Sequence, residues 1–301
     1  MGGLGANYFS ILRIPERGAV QLHGLASVVL AGGRSERFGS NKLLVRIGGE
    51  TMLAIVCRAL SSISDEVYLS ARSLAQGIGL MEVAGLDRVR VVADDRSLGC
   101  TGPAAGIVTA ALKTGGDFLL VAPGDMPYLS VKPLEKFARL CISVGADAGS
   151  VFYGLGDVET LLQFHRTSWI VSKGVNICRM KTASVRATDL LRYAPKLVLI
   201  GAGRLTRNPH VFNNINTPSD LRTRRPSSDL SPRHLLMTEL GRRAYVALEL
   251  CRRGEYDSAA RIFSTEGDSY LSMHVKLLAA HAYHDAWNSW VASINRPTTR
   301  R

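Results

Sequence analysis

The sequence predicts an α/β fold built on a doubly wound, mostly parallel sheet, with a small all-α region after it. Short apolar, β-branched segments alternate with segments whose apolar residues have helical spacing. The predicted strands cover 25–31, 66–71, 89–94 and 117–123, and the predicted helices cover 50–62, 73–83 and 103–114. Such repetition gives parallel strands with helices on both faces, and ligands bind at the carboxyl ends of these strands. Functional residues are therefore expected in the loops that follow the strands.

The 301 residues divide into four regions. Residues 1–24 form an N-terminal extension, and 25–222 form the α/β domain. The segment 223–233 is basic, then rich in Pro and Ser, which is typical of a linker. Residues 234–301 contain almost no strand signals and predict a helical appendage of three or four helices. Within it, 244–263 resembles a single tetratricopeptide-type hairpin, which would have to pack on the main domain or on a partner.

Composition excludes several classes of protein. With 46% hydrophobic and 21% charged residues, the chain can bury a sizeable core and is not of the disordered class. Its apolar runs are shorter than the roughly 18 residues that a membrane span needs. Arg13, Glu16 and Arg17 interrupt the region where a signal peptide would be apolar. We therefore expect neither a membrane protein nor a classically secreted one.

The cysteines indicate the compartment. The chain has five of them, widely separated and without a CxxC pair: Cys57, Cys100, Cys141, Cys178 and Cys251. This pattern predicts reduced thiols rather than a disulfide framework or a zinc cluster. We therefore expect a cytoplasmic protein.

The charge of the chain favours anionic ligands. Lys and Arg number 37 and Asp and Glu number 25, which gives a net charge of +12. Residues 226–301 carry ten basic and eight acidic residues, so about +10 belongs to residues 1–225. Nucleotides and phosphorylated cofactors fit this excess. Nucleic acid is disfavoured, because the basic residues cluster in a strand-end loop without interleaved aromatic side chains.

A glycine-rich loop, LAGGRSERFGSNK (30–42), follows the first predicted strand. Gly32 and Gly33 allow the backbone to approach a phosphate closely, and Arg37 and Lys42 add positive charge. The loop is not a Walker A sequence, because Gly-Lys-Ser/Thr is missing. It predicts a phosphate-binding segment, with a purely structural turn as the alternative.

A second motif, PGDMP (123–127), places Asp125 at the carboxyl end of a predicted strand. A carboxylate there suits Mg²⁺, which takes few protein oxygens and completes its shell with substrate phosphates. The alternative is a carboxylate that caps the turn.

Two further motifs complete the set. GCTGPAAG (99–106) opens a helix whose N-terminal amides can meet an anion or a base, and Asp94 and Asp95 precede it. FNNINTPSDL (212–221) offers the amide oxygens of Asn214 and Asn216 ahead of a predicted helix, although such turns are usually only caps.

In this order and spacing the four motifs resemble those of the molybdenum cofactor guanylyltransferases, the MobA family. LAGG, GPAAG, PGDMP and NINTPSDL stand nearly as that family writes them, and the likeness covers about two-thirds of the chain. The family belongs to the nucleoside-triphosphate transferases with a Rossmann-like fold. The resemblance therefore implies that residues 25–222 are a nucleotidyltransferase domain.

The resemblance implies a role for each matching residue. Leu30, Ala31 and Gly32 would line guanine and ribose, with Gly33 close behind. The other implied nucleotide contacts are Lys42, Arg37, Asp95, Gly102, Pro103 and Asp125. Lys42, Arg37 and Asp125 would be catalytic, Asp125 and Asn216 would hold Mg²⁺, and Asn214 and Asn216 would lie on the pterin side. Arg72 departs from the family, which usually has a nucleotide-contacting Asn after the second strand.

The implied reaction transfers GMP from GTP to the molybdopterin cofactor and releases pyrophosphate. GTP and the cofactor are the implied partners, with a molybdopterin-delivering protein or a molybdoenzyme as a further candidate. Two alternatives stay open within the same fold: cytidylyl transfer to this cofactor, or nucleotidyl transfer to a sugar phosphate or cobinamide phosphate. A nucleotide-binding regulator without catalysis is disfavoured by the presence of both Lys42 and Asp125.

Overall fold

A computed structural model describes residues 22–33, 41–153, 157–179, 185–223 and 235–239, with 255 and 258 as single positions. Its strands are β1 (Leu25–Leu30), β2 (Arg46–Ile47), β3 (Glu50–Thr51), β4 (Glu66–Ala71), β5 (Val89–Ala93), β6 (Phe118–Pro123), β7 (Ala148–Tyr153), β8 (Asp157–Arg166), β9 (Lys196–Gly201) and β10 (Leu235–Glu239). Its α-helices are α1 (Met52–Ser61), α2 (Leu74–Ala84), α3 (Pro103–Lys113), α4 (Val131–Ser143), α5 (Thr167–Trp169), α6 (Val175–Cys178), α7 (Ala187–Arg192), α8 (Ala202–Leu205) and α9 (Pro218–Thr223).

Eight of these strands form one sheet in the order β10–β9–β7–β8–β6–β1–β4–β5. The four strands β5, β4, β1 and β6 pair in parallel, and so do β7 and β9. Within the eight-stranded sheet of the described residues, only β8 and β10 run antiparallel to their neighbours. The prediction of a mostly parallel, doubly wound sheet is confirmed, and the predicted strands and helices lie within two residues of the observed bounds.

Helices cover both faces of the sheet. On one face Leu53 of α1 and Phe137 of α4 pack against strand residues such as Leu120. On the other face Ile107 of α3 and Leu190 of α7 pack against strand residues of the opposite orientation. Successive strand residues point to opposite faces, so burying both explains why the strands are continuous apolar runs.

Leu22, which falls within the predicted N-terminal extension, packs against the α/β domain. Leu22 is buried, and its N–H donates to the carbonyl of Ile63 at 3.0 Å. Much of the predicted extension, linker and appendage falls outside the described residues. The excluded ranges there are 1–21, 224–234 and 240–301, apart from 255 and 258.

One prediction about the appendage is wrong. Leu235–Glu239 is a strand, β10, where a helix was expected, and it pairs antiparallel with β9. Its sequence LLMTE fits helix and strand about equally, and such short apolar segments cannot be assigned from periodicity. The open edge of β9 decides the outcome, because its backbone groups need partners.

The prediction of reduced thiols is also wrong for one pair. Cys100 and Cys178 form a disulfide, with their Cα atoms 4.9 Å apart. They are separated by 78 residues, so nothing in their spacing indicated that the fold brings them together. Cys57 and Cys141 are free and buried.

Candidate active site

A cavity of about 390 Å³ opens at the carboxyl ends of β1, β4, β5 and β6. Its walls come from the loops that follow these strands and from the start of α3. The lining residues are Leu30, Gly32, Gly33, Lys42, Leu43, Ser70, Arg72, Asp94, Arg96, Cys100, Thr101, Gly102, Pro103, Pro123, Asp125 and Leu161. The predicted location of the site, at the carboxyl edge of the parallel strands, agrees with this cavity.

Lys42 and Asp125 meet at one end of the cavity. Lys42 begins a short 3₁₀ helix, Lys42–Leu44, in which Asn41 accepts a hydrogen bond from the N–H of Leu43. Its ammonium lies 2.5 Å from Oδ2 of Asp125, and both side chains are largely buried, at 16% and 18% exposure. Their charge interaction is therefore weakly screened by solvent.

The turn that carries Asp125 is fixed by the neighbouring strand. The N–H of Gly124 donates to the carbonyl of Leu30, so the end of β6 is held against the end of β1. A Cβ at Gly124 would lie 3.1 Å from Cδ2 of Leu43, so a glycine here allows Leu43 to pack close. Packing of Leu43 in turn places Lys42 beside Asp125.

The residues around Asp125 fit a divalent cation. Oδ1 of Asp125 is buried, and in the described structure it has no hydrogen-bond partner. An unpartnered, buried carboxylate oxygen is costly unless something binds it. No group of three or more His, Cys, Asp or Glu side chains in the described ranges could hold a metal ion by itself. A single carboxylate that relies on substrate phosphates is the arrangement typical of Mg²⁺.

The asparagine-rich segment docks directly on Asp125. The N–H of Ile215 donates to the carbonyl of Asp125 at 2.9 Å, and Lys42 Nζ donates to Oδ1 of Asn216 at 3.2 Å. Asp220 closes the turn by accepting from the N–H groups of Asn216 and Thr217, both at 2.8 Å. Partial desolvation opposes the shift, but these hydrogen bonds lower the pKa of Asp220.

Asn214 faces a different neighbour. Its Nδ2 donates to Oε2 of Glu159 on β8 at 3.4 Å. Glu159 also accepts from the N–H of Leu161, which lines the cavity. Asn214 and Asn216 therefore lie on opposite sides of Ile215, and only Asn216 contacts Lys42.

Ser70, Asp94 and Arg72 form the other end of the cavity. Ser70 Oγ donates to Oδ1 of Asp94 at 3.5 Å. Burial raises the pKa of Asp94, while the Ser70 hydrogen bond and the charge of Arg72 partly offset that rise. Arg72, the residue that departs from the family pattern, is exposed and borders Gly32.

Most of the predicted nucleotide contacts line the cavity. They are Leu30, Gly32, Gly33, Lys42, Gly102, Pro103 and Asp125. Ala31 does not line it: it is buried behind the wall, where its N–H donates to the carbonyl of Ser70. Arg37 lies outside the described residues.

Asp95 caps a turn next to the cavity. Its carboxylate accepts from the N–H of Ser97 and begins the 3₁₀ helix Arg96–Leu98, and these Ser97 hydrogen bonds lower the pKa of Asp95. The residue that borders the cavity is its neighbour Asp94. A nucleotide contact by Asp95 stays a prediction.

Sequence reasoning did not assign seven other cavity residues: Leu43, Ser70, Arg96, Cys100, Thr101, Pro123 and Leu161. Ser70 and Thr101 carried a usable signal, because one lies near the carboxyl end of a predicted strand and the other lies in the GCTGPAAG turn. Leu161 carried none, since the strand that contains it was not predicted.

Gly106 of the GPAAG segment allows α3 to approach β4. A Cβ at this position would lie 2.1 Å from Ser70 Oγ and 3.4 Å from Oδ1 of Asp94. We expect Gly106→Ala to lower the free energy of unfolding by about 1–3 kcal/mol, because α3 must move away from the sheet. Urea unfolding measures this change.

Gly79→Ala on α2 is the matched control. In the described part of the chain, no atom beyond the backbone of α2 itself lies within 4 Å of the Cβ that this substitution adds, so a gain of up to about 1 kcal/mol from helix propensity is expected. Equal stability of the two variants would contradict the close approach of α3 to Ser70.

Comparisons with known proteins agree with this fold. The family model described as the MobA-like NTP transferase domain matches residues 27–171. A probable molybdenum cofactor guanylyltransferase of Geobacillus sp. (strain WCH70) is 30% identical over 201 residues, which cover 66% of this chain and 97% of the relative. One from Bacillus subtilis (strain 168) is 30% identical over 194 residues, covering 64% of this chain and 91% of the relative.

A solved structure shares the fold. Molybdopterin-guanine dinucleotide biosynthesis protein A from Archaeoglobus fulgidus superimposes with a TM-score of 0.55 at 22% identity, covering 65% of this chain and 95% of that one. The family model and these relatives show that the chain is a nucleotidyltransferase, built on a fold of the Rossmann-like type. The chain belongs to the MobA-like NTP transferase family.

Among the described residues, no helix is both long and apolar enough to cross a membrane.

Proposed function

We propose that this enzyme transfers GMP from GTP to the molybdopterin cofactor, giving the guanine dinucleotide cofactor and pyrophosphate. The observation that carries the proposal is the cluster of Lys42, Asp125 and Asn216 at one end of the cavity, where Oδ1 of Asp125 has no hydrogen-bond partner among the described residues. The relatives named as molybdenum cofactor guanylyltransferases support the same substrate pair.

The cavity supports a definite orientation of GTP. The positive charge of Lys42, beside Asp125, favours the triphosphate at the β1–β6 end. The base and ribose then extend toward Ser70 and Asp94. Gly102 and Pro103 begin α3 between these two ends, and the free N–H groups of a helix start favour an anion or a base carbonyl nearby.

The proposed chemistry needs no side-chain nucleophile. The terminal phosphate of the pterin attacks the α-phosphorus of GTP, and the bond from that phosphorus to the bridging oxygen of pyrophosphate breaks. A phosphate oxyanion is already nucleophilic near neutral pH. Catalysis then depends on alignment of the two substrates and on neutralisation of the charge that develops on the phosphates.

Lys42 supplies part of that charge and orients the site. Its ammonium contacts both Asp125 and Asn216, so one cation fixes the two side chains that the family resemblance implies for metal binding. Mg²⁺, when bound, would polarise the phosphate oxygens and stabilise the leaving pyrophosphate. Asp125 and Asn216 are the residues that would hold it.

The acceptor side is proposed to lie near the asparagine-rich segment. Asn214 is held by Glu159, and Asn216 is held by Lys42, so the segment between them has a defined position beside the Asp125 turn. Amide groups on such a fixed segment can hydrogen-bond the polar edge of a pterin. A protein that delivers molybdopterin is proposed to approach from this side.

We expect a strong preference for GTP over CTP and ATP, and we expect Gly33→Ala to erode it. Among the described residues, apart from its neighbours in the chain, no atom lies within 4 Å of a Cβ at Gly33, so the added methyl group enters the cavity without displacing the described part of the fold. The space left by glycine accommodates a purine, and carbonyls paired with guanine donors would be left unpaired by another base. The measurement is kcat/KM for each triphosphate with molybdopterin as acceptor.

Gly115→Ala is the control, because its Cβ also meets open space and lies near the amino end of β6, away from the cavity. It should leave the preference unchanged. If CTP equals or exceeds GTP in the unsubstituted enzyme, the guanylyl assignment is wrong and cytidylyl transfer to the same cofactor replaces it.

A further inference from the structure

The disulfide between Cys100 and Cys178 lies at the wall of the candidate active site. Cys100 lines the cavity and directly precedes Thr101 and Gly102, which line the same wall. Cys178 is the last residue of α6, and this helix does not contribute to the cavity wall. The bond therefore ties the segment that leads into α3 to an element outside the wall, across a usual Cα separation of 4.9 Å.

Hydrogen bonds near this segment are mostly local. The N–H of Ser97 donates to Asp95, and the N–H of Gly99 donates to the carbonyl of Arg96 at 3.4 Å. Gly99 also lies close to the neighbouring element, since a Cβ there would be 3.7 Å from the carbonyl oxygen of Cys178. The disulfide is therefore the covalent link that sets the distance between residues 99–102 and α6.

We propose that Cys100 and Cys178 form a reversible thiol–disulfide site that controls the affinity of the enzyme for GTP. This inference rests on the function proposed above. The oxidised pair holds residues 99–102 in place before GTP binds, so less conformational freedom is lost on binding. Reduction releases the segment, and GTP must then order it at a cost in affinity.

The redox step is an exchange with a low-molecular-weight disulfide such as oxidised glutathione. One cysteine thiolate attacks a glutathione sulfur, forms a mixed disulfide and releases one glutathione thiolate. The other cysteine then attacks the protein sulfur of the mixed disulfide and releases the second glutathione. The two cysteines are oxidised, the glutathione disulfide is reduced, and the two protons end on glutathione. A dithiol reductant reverses these steps.

Two other cysteines serve as internal references. Burial raises the pKa of Cys57 to about 12 and raises that of Cys141 further, so neither forms a reactive thiolate near neutral pH. Both belong to the hydrophobic core on the face opposite Cys100. Their alkylation in the folded protein should not depend on the redox state.

The affinity of the full-length chain for GTP in the presence of Mg²⁺ tests the proposal. One sample is oxidised with oxidised glutathione, and another is reduced with dithiothreitol and desalted without oxygen. Peptide mapping by mass spectrometry checks the Cys100–Cys178 bond in each. Calorimetry should give a Kd for GTP about tenfold higher in the reduced sample. By reciprocity, bound GTP should make the disulfide harder to reduce by the same factor.

Cys178→Ser removes the bond without changing a residue of the cavity wall, and with Cys100 kept as a free thiol by dithiothreitol it should bind GTP as the reduced protein does. Cys57→Ala is the matched control and should keep the redox difference. Equal Kd values in the oxidised and reduced samples, or an oxidised sample without the mapped bond, would overturn the switch and leave guanylyl transfer intact. Absence of GTP binding in both states would overturn the proposed function as well.

Discussion

We expect Asp125→Asn to lower kcat for guanylyl transfer by about 1,000-fold, or roughly 4 kcal/mol in barrier, with the fold intact. The substitution keeps the shape of the side chain and removes its charge. Lys42 then loses its ion pair, and the unpartnered Oδ1 position no longer carries negative charge. Pyrophosphate release measures the rate, and thermal unfolding reports the fold.

Asp87→Asn is the control for the loss of one carboxylate. Asp87 is exposed and lies near the amino end of β5, at the opposite edge of the sheet from the cavity. It should change the rate less than twofold. A near-normal rate in Asp125→Asn would remove Asp125 from the active site and leave the cavity without its proposed metal ligand.

The second large effect is expected for Lys42→Gln. This variant should lower kcat/KM for GTP by about 100-fold, which is roughly 2.7 kcal/mol of transition-state stabilisation. Glutamine can still reach a neighbouring amide, but it carries no charge to offset Asp125 and the phosphates. The loss should appear in both kcat and KM, because Lys42 is proposed to contact the triphosphate before and during the reaction.

Lys132→Gln, on the exposed side of α4, controls for the change in net charge and should leave kcat/KM within twofold. Because Lys42 and Asp125 act as a pair, the double variant should lose less than the product of the two single losses. Full multiplication of the two effects would contradict direct coupling between these side chains.

The sheet and most of the cavity could be predicted because one physical rule determines both. Buried parallel strands need continuous apolar segments, and the ends of neighbouring strands meet at one edge of the sheet. Lys42 and Asp125 are 83 residues apart in sequence, yet each belongs to a segment that follows one of the adjacent strands β1 and β6. Their contact therefore follows from the strand order.

Single-residue placement at strand ends was less accessible. Consecutive residues of an extended chain point to opposite sides, so a shift of one position exchanges a cavity residue for one that faces away. Asp94 borders the cavity while Asp95 caps the next turn, and Leu30 and Gly32 line the wall while Ala31 is buried behind it. The motif indicates the segment but not the side that each residue faces.

Contacts between distant segments could not be derived from local patterns. The Cys100–Cys178 bond depends on where α6 packs relative to the start of α3, which no periodicity or spacing encodes. The pairing of β10 with β9 likewise depends on an open sheet edge. Both features required the three-dimensional arrangement of the chain.

Transfer of the labelled α-phosphorus of GTP tests the central claim most directly. The enzyme is incubated with Mg²⁺, molybdopterin and GTP labelled at either the α- or the γ-phosphorus. Guanylyl transfer predicts that the α label appears in the dinucleotide cofactor, while the γ label appears only in pyrophosphate. Label from the γ-phosphorus in the acceptor, or no α label in any pterin product, would contradict guanylyl transfer.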